Sequence, residues 1–281
     1  MATIDVDIKE LLKSGAHFGH SASRWHPRMA PYIHSKRDGS HIIDLTKTVE
    51  GLDKALAFIT DTIAAGKQIL LVSTKRQAKD KVKEVALATG MPYVTERWLG
   101  GMLTNTATIG GRIKHLKDIE TRMASGELAA KYGKLEVQRY QEEIEQMNHL
   151  YGGIKEMAAK LGAVFVVDVL TDDLAVKEAI KLKTPVVALI DTNADPTVAT
   201  YPIPCNDDAT KTINLVLDLV QQAIEAGKGK IKKPVDKTDA PTESAEAKEA
   251  PGTQEAGAEP AKVKAPAPAE EAKIEPVKGI G

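Results

Sequence analysis

The sequence predicts an α/β protein: an open, doubly wound parallel sheet of the flavodoxin-like or Rossmann-like kind, from which an antiparallel coiled-coil helical hairpin projects. Three observations predict it. Short, almost wholly apolar runs alternate with helical patterns, as strands covered on both faces alternate with crossover helices. One long stretch breaks that alternation with a heptad-spaced seam. Everything after Lys230 lacks aromatic residues and holds seven of the 14 prolines, so it has little to bury.

Along the chain, Tyr32 to Ser35 and His41 to Asp44 flank Asp38-Gly39 and predict a β-hairpin. Val49, Leu52, Leu56, Ile59 and Ile63 recur at helical spacing. The apolar run Gln68 to Ser73 follows as the first buried strand. Ala163 to Val169, Pro185 to Ile190 and a weaker segment around Ile203 supply three more, and Ile213, Val216, Leu217, Val220 and Ile224 mark a closing helix.

The interruption runs from about Thr106 to Leu161. Ile109, Ile113, Leu116, Ile119 and Met123 share one helical face. Val137, Tyr140, Ile144, Met147, Tyr151, Ile154, Ala158 and Leu161 follow at alternating spacings of three and four, a heptad seam. Ser125, Gly126 and Gly133 mark the reversal between the halves, and Gly152-Gly153 marks a bend or a close approach inside the second helix. The domains expected are an α/β unit of residues 1–105 and 159–230, a hairpin of 106–158, and a disordered tail of 231–281.

Charge is balanced, 38 basic against 39 acidic residues, so its distribution carries the information. From Lys67 to Lys83 six cations face one acid, and from Arg97 to Arg122 five face two; such windows suit phosphate. The single Cys205 excludes an internal disulfide or a four-cysteine zinc site and fits a reducing cytoplasm. The N-terminus carries acids where a signal peptide carries cations, and no apolar run has a membrane span's length.

Three chemistries compete. Asp168, Asp191 and Asp195 fall near strand ends, where an open sheet carries catalytic groups, and three carboxylates there could hold magnesium for phosphoryl transfer. Asp191-Thr192-Asn193-Ala194-Asp195-Pro196 is nevertheless turn and cap chemistry, and neither GxxxxGK[ST] nor GxGxxG follows the strand at Ile69. No catalytic residue and no cofactor are therefore expected. His17, His20, His26, His34 and His41 crowd the first 41 residues, without the spacing of HExxH or a zinc finger, so no metal is expected. The third chemistry is RNA binding. Arg24-Trp25-His26-Pro27-Arg28, Lys75-Arg76 with Lys79, and Arg97-Trp98 join cations that neutralise phosphate to flat rings that stack on bases.

Several of these blocks resemble the bacterial small-subunit ribosomal protein S-two family. The resemblance runs in family order from Ile8 to Ala209: IKELLKSGAHFGH, RWHPRMAPYIHSKRDGSHIIDLTKT, VSTKRQA, RWLGGMLTN, PVVALIDTNADP and YPIPCNDDA. Thr106, Cys205 and His34-Ser35-Lys36 depart from the family pattern. The resemblance implies a sheet domain with a projecting coiled-coil hairpin. It also implies a cytoplasmic, ribosome-bound role between head and body of the small subunit, contacting ribosomal RNA and neighbouring proteins and helping dock the messenger-binding ribosomal protein S-one. The residues expected to bind RNA are Arg24, His26, Arg28, Lys36, Arg37, Lys75, Arg76, Lys79, Arg97, Trp98 and Arg112.

Overall fold

A computed structural model describes residues 6–230; the predicted tail of 231–281 lies outside the described residues. Four-residue runs such as Ile69–Val72 (β4) and Ala163–Val166 (β6) are buried at every position, as strands covered on both faces must be. They form a parallel five-stranded sheet with Tyr93–Val94 (β5), Val186–Ile190 (β7) and Tyr201–Pro204 (β8), in the spatial order β5-β4-β6-β7-β8. Renumbered within the sheet, this is 2-1-3-4-5, the flavodoxin-like order. Its direction of winding reverses between β4 and β6.

Alternation of side chains divides the core in two. Leu71, Phe165, Leu189 and Ile203 face helices Ile8–Ser14 (α1), Leu45–Ala64 (α2), Lys79–Thr89 (α3) and Thr210–Gly229 (α8). Leu70, Val72, Val164, Val166, Ala188 and Ile190 face Asp173–Lys181 (α7) and the loop through Trp98, Met102 and Leu103. Asp44 caps α2, its side chain accepting from the Thr46 N–H at 2.9 Å.

The expected hairpin is present as Ile33–Arg37 (β2) and Ser40–Ile43 (β3), paired antiparallel. Asp38 and Gly39 take positive φ at +50° and +82°, the geometry of a two-residue hairpin turn. A strand not expected, Phe18–Ser21 (β1), completes a three-stranded sheet in the order β1-β3-β2. This small sheet abuts the carboxyl edge of the large one. The His20 N–H donates to Thr192 Oγ1 at 2.9 Å and the His26 N–H to the Thr192 carbonyl at 2.7 Å, and a Cβ on Gly19 would lie 2.5 Å from Thr192 Cγ2.

The insertion consists of Thr106–Ala124 (α4), a short Glu127–Lys131 (α5) and Lys134–Tyr151 (α6). Ile109, Leu116 and Ile119 are buried, while Val137, Tyr140, Ile144, Met147 and Tyr151 form a half-buried stripe. One expectation changes here. The second helix ends at Tyr151 instead of continuing to Leu161, because Gly152–Ile154 tightens into a 3-10 turn. Gly153 lies against the Tyr93 carbonyl so closely that a Cβ has no room. Polar cross-links join the two halves: Lys117 pairs with Glu156 at 2.6 Å, Glu120 with Lys155 at 2.7 Å and with Asn148 at 2.7 Å, and His115 with Glu143 at 3.2 Å.

Candidate nucleic-acid interface

The predicted cations fall into three environments. Arg24, in the turn after β1, and Lys36 and Arg37, on β2, are exposed on the small sheet. The Ala22 N–H donates to the Gly39 carbonyl at 2.9 Å, holding the turn against the hairpin tip. Trp25 is half-exposed beside them, its ring 5.3 Å from that of His41. His26 is half-buried and accepts from the Arg28 N–H through Nδ1 at 3.3 Å. Arg28 reaches Asp195 at 2.6 Å and Thr197 at 2.9 Å yet leaves much of its side chain exposed.

A second group surrounds the loops after β4 and β5. Arg76 and Arg97 are exposed, and Lys79 pairs with Glu96 at 3.4 Å. Arg112 is exposed on α4. Among the described residues Arg24, Lys36, Arg76, Arg97 and Arg112 have no carboxylate within 4.0 Å.

The third environment is internal and corrects two expectations. Lys75 is turned inward at the carboxyl edge of β4, 13% exposed, with Nζ 3.3 Å from Asp168, 2.9 Å from Asp207 and 2.7 Å from Asp208. Burial alone would lower its pKa, but hydrogen bonds to Asp208 and Asp207 outweigh that and raise it. Its charge is thus already neutralised by carboxylates instead of being free for phosphate. Trp98 is 6% exposed and donates from Nε1 to Glu178 at 3.1 Å, so it anchors the core and offers no face to a base.

The strand-end carboxylates are occupied too. Asp168 accepts from the Leu170 and Thr171 N–H groups at 2.8 and 3.1 Å and from the Thr171 hydroxyl at 2.7 Å. Asp195 accepts from Thr197 N–H and hydroxyl at 3.0 and 2.8 Å. Asp191 accepts from the Thr192 N–H and lies 2.9 Å from His20 Nδ1; that hydrogen bond leads the causes that raise the His20 pKa. Asp207 and Asp208, which the sequence did not single out, complete the cluster. Burial, followed by the nearby Asp168, pushes Asp207 up to about 7 even though Lys75 touches it. His20, Asp191 and Asp207 bring ligand atoms within 4.8 Å of one another. These groups fill the crevice at the β4–β6 reversal and along the adjoining strand ends, where sheets of this order hold ligands.

Glu178 of α7 was likewise unforeseen. One carboxylate oxygen accepts from Trp98 Nε1 and from the Gly101 N–H at 2.7 Å. The other accepts from the Leu103 and Thr104 N–H groups and the Thr104 hydroxyl, each at 3.0 Å. The five bonds fix the loop that carries Arg97 and leads into α4.

Comparison with known proteins decides what this arrangement belongs to. The family model described as "Ribosomal protein S2" matches residues 11–227. The chain belongs to the ribosomal protein S2 family. It is 48% identical over 225 residues to the "Small ribosomal subunit protein uS2" of Roseiflexus sp. (strain RS-1), covering 80% of this chain and 86% of that one. It is 47% identical over 222 residues to the protein of the same name from Chloroflexus aurantiacus (strain ATCC 29366 / DSM 635 / J-10-fl), covering 79% and 93%. For that of Fusobacterium nucleatum subsp. nucleatum the figures are 44% over 222 residues, 79% and 90%. Membership in the ribosomal protein S2 family makes the chain a ribosome-bound, cytoplasmic structural constituent of the small subunit and not an enzyme. Among the described residues no helix is long and apolar enough to cross a membrane.

Proposed function

We propose that the chain binds small-subunit ribosomal RNA at the junction of head and body, through phosphate contacts from its exposed cations. The observation that carries this reading is that five of the RNA-contact candidates, Arg24, Lys36, Arg76, Arg97 and Arg112, are exposed and have no carboxylate partner among the described residues. Arg37, Arg28 and Lys79 flank them with weak or exposed pairs. Free guanidinium and ammonium groups gain by displacing counterions from RNA, whereas Lys75 has no such gain left. Half-exposed Trp25 adds a flat face for an unpaired base. The head-and-body location and a contribution to docking ribosomal protein S-one rest on the family resemblance.

The test is rebinding of the full chain to small subunits depleted of it, followed by sedimentation over a salt series. Replacing Arg76 and Arg97 together by alanine should weaken binding and make its salt dependence shallower. An unchanged slope in a folded variant defeats the phosphate reading. For S-one docking, depleted subunits should lose S-one and regain it on adding the chain; equal retention without the chain removes that part.

A further inference from the structure

Three independent features meet where α4 leaves the sheet domain. The loop Trp98 to Thr104 is held by five hydrogen bonds to the single carboxylate of Glu178. Beneath it lies a cleft of about 680 Å³ lined by Met102, Leu103, Ile109, Ile113, Ile154 and Met157, with others. Gly110 and Gly111 follow one another in the second turn of α4, with open space where each Cβ would stand. Met102, Leu103, Ile109 and Ile154 are buried on the inner wall of the cleft, whereas Ile113 and Met157 are only partly covered, so packing holds the arm's root on one side and leaves the other side open. Consecutive glycines in a helix interior weaken it at the same place.

We infer that the α4–α6 insertion is a hinged arm and that the Glu178 carboxylate is the latch that fixes its angle to the sheet. Glu178 stands on α7, whose Ala175, Val176 and Ala179 are buried against the second face of the sheet, so the latch joins the arm's root to a rigid body. Its two oxygens take four N–H donors and one hydroxyl, one more than the roughly four lone-pair sites of a carboxylate. The returning end is also held by polar contacts. Gln68 Oε1 accepts from the Ala158 N–H at 2.7 Å and its Nε2 donates to the Glu156 carbonyl at 3.3 Å. Polar clamps at both roots, with a cleft between them, are what a pivot requires. Glu178 is a positioning residue: it touches no ligand and acts by setting where Arg97 and Arg112 stand relative to Arg76. The inference does not depend on RNA binding.

The test measures the arm's angle directly in the full chain. Spin labels on Ala129→Cys in α5 and Ala88→Cys in α3, with buried Cys205 replaced by serine, report one distance across the hinge by pulsed electron resonance. The latched chain should give a single narrow distance. Glu178→Gln should lose that narrow peak and give a broad distribution, with far-ultraviolet circular dichroism unchanged. Adding Gly110→Leu, which removes one of the paired glycines and places an apolar side chain on the cleft wall, should narrow the distribution again. Should Glu178→Gln fail to fold, Thr104→Val, which removes one of the five donors, should broaden the peak by a smaller amount. A peak as narrow as the parent's in folded Glu178→Gln, or in Thr104→Val when that variant must serve, overturns the latch.

Discussion

Lys75 Nζ lies 2.9 Å from an oxygen of Asp207, while the adjacent Arg76 stands exposed. Neighbours in one basic window therefore do opposite work. Lys75→Ala strands three carboxylates around an empty position and should cost about 3–5 kcal/mol, as breaking a buried pair does. Arg76→Ala should leave stability within about 0.5 kcal/mol. Urea denaturation of the two variants checks this, and equal losses would place Lys75 outside the core.

The same cluster sets a pH dependence. Asp207 titrates at about 7 in the folded chain against 3.8 ordinarily, so between those values the folded state holds the extra proton, and stability from this group falls as pH rises. His20, raised above 6.5, has the same sign: its contribution is full below 6.5 and is lost as pH rises through its folded value. Asp172, raised by burial, has the same sign above pH 3.8, and His17, lowered by burial, has the opposite sign below pH 6.5. The melting temperature should fall from about pH 5.5 to about pH 8, and His20→Gln with Asp207→Asn should flatten that fall, by a few kcal/mol at most. Parallel pH profiles for parent and double variant would contradict it.

The two tryptophans should separate fold from binding. Trp98→Phe removes the donor to Glu178 and some buried volume, for a loss of about 1–2 kcal/mol in stability, and should touch RNA affinity only slightly, through the position of the Arg97 loop. Trp25→Ala should hardly move stability and should weaken subunit binding by about 1–3 kcal/mol, the scale of one stacked base. Sedimentation and thermal melts on both proteins decide.

The end of α6 is set by one close approach. Gly153→Ala has no room against the Tyr93 carbonyl and should destabilise by more than about 2 kcal/mol. Gly152→Ala, with only Asn148 Oδ1 at 3.7 Å and a helical φ of −54°, should be neutral or stabilising by up to about 1 kcal/mol. Equal effects would show that helix propensity, not contact, ends the helix.

The strands β4, β6 and β7 were legible because burial on both faces leaves an uninterrupted apolar run, and β8 was visible through Ile203. β5 is two residues long and β1 reads Phe-Gly-His-Ser, too short or too irregular to show a period. The stripe of α6 was legible through Tyr151, and Gly153 ended it through a contact with a residue 60 positions away (153 − 93). Site residues were harder. Lys75 sits in a window rich in cations, and only the return of Asp207 and Asp208 from 132 and 133 positions later (207 − 75, 208 − 75) shows that it is spoken for. Glu178 carries no local mark, because its partners are mostly backbone N–H groups of a distant loop.

The strand order has a kinetic consequence. Ile69 pairs with Ala163, 94 positions further on (163 − 69), so β4 emerges from synthesis long before its central partner exists. Closing so wide a gap is entropically expensive and slow. The helices of 106–151 lie wholly inside that gap and make short-range contacts such as His115 with Glu143, so they can form first and shorten the effective distance to be closed. Pulsed hydrogen exchange during refolding should find α4 and α6 amides protected before those of β4; the reverse order would mean that the sheet, and not the arm, nucleates the chain.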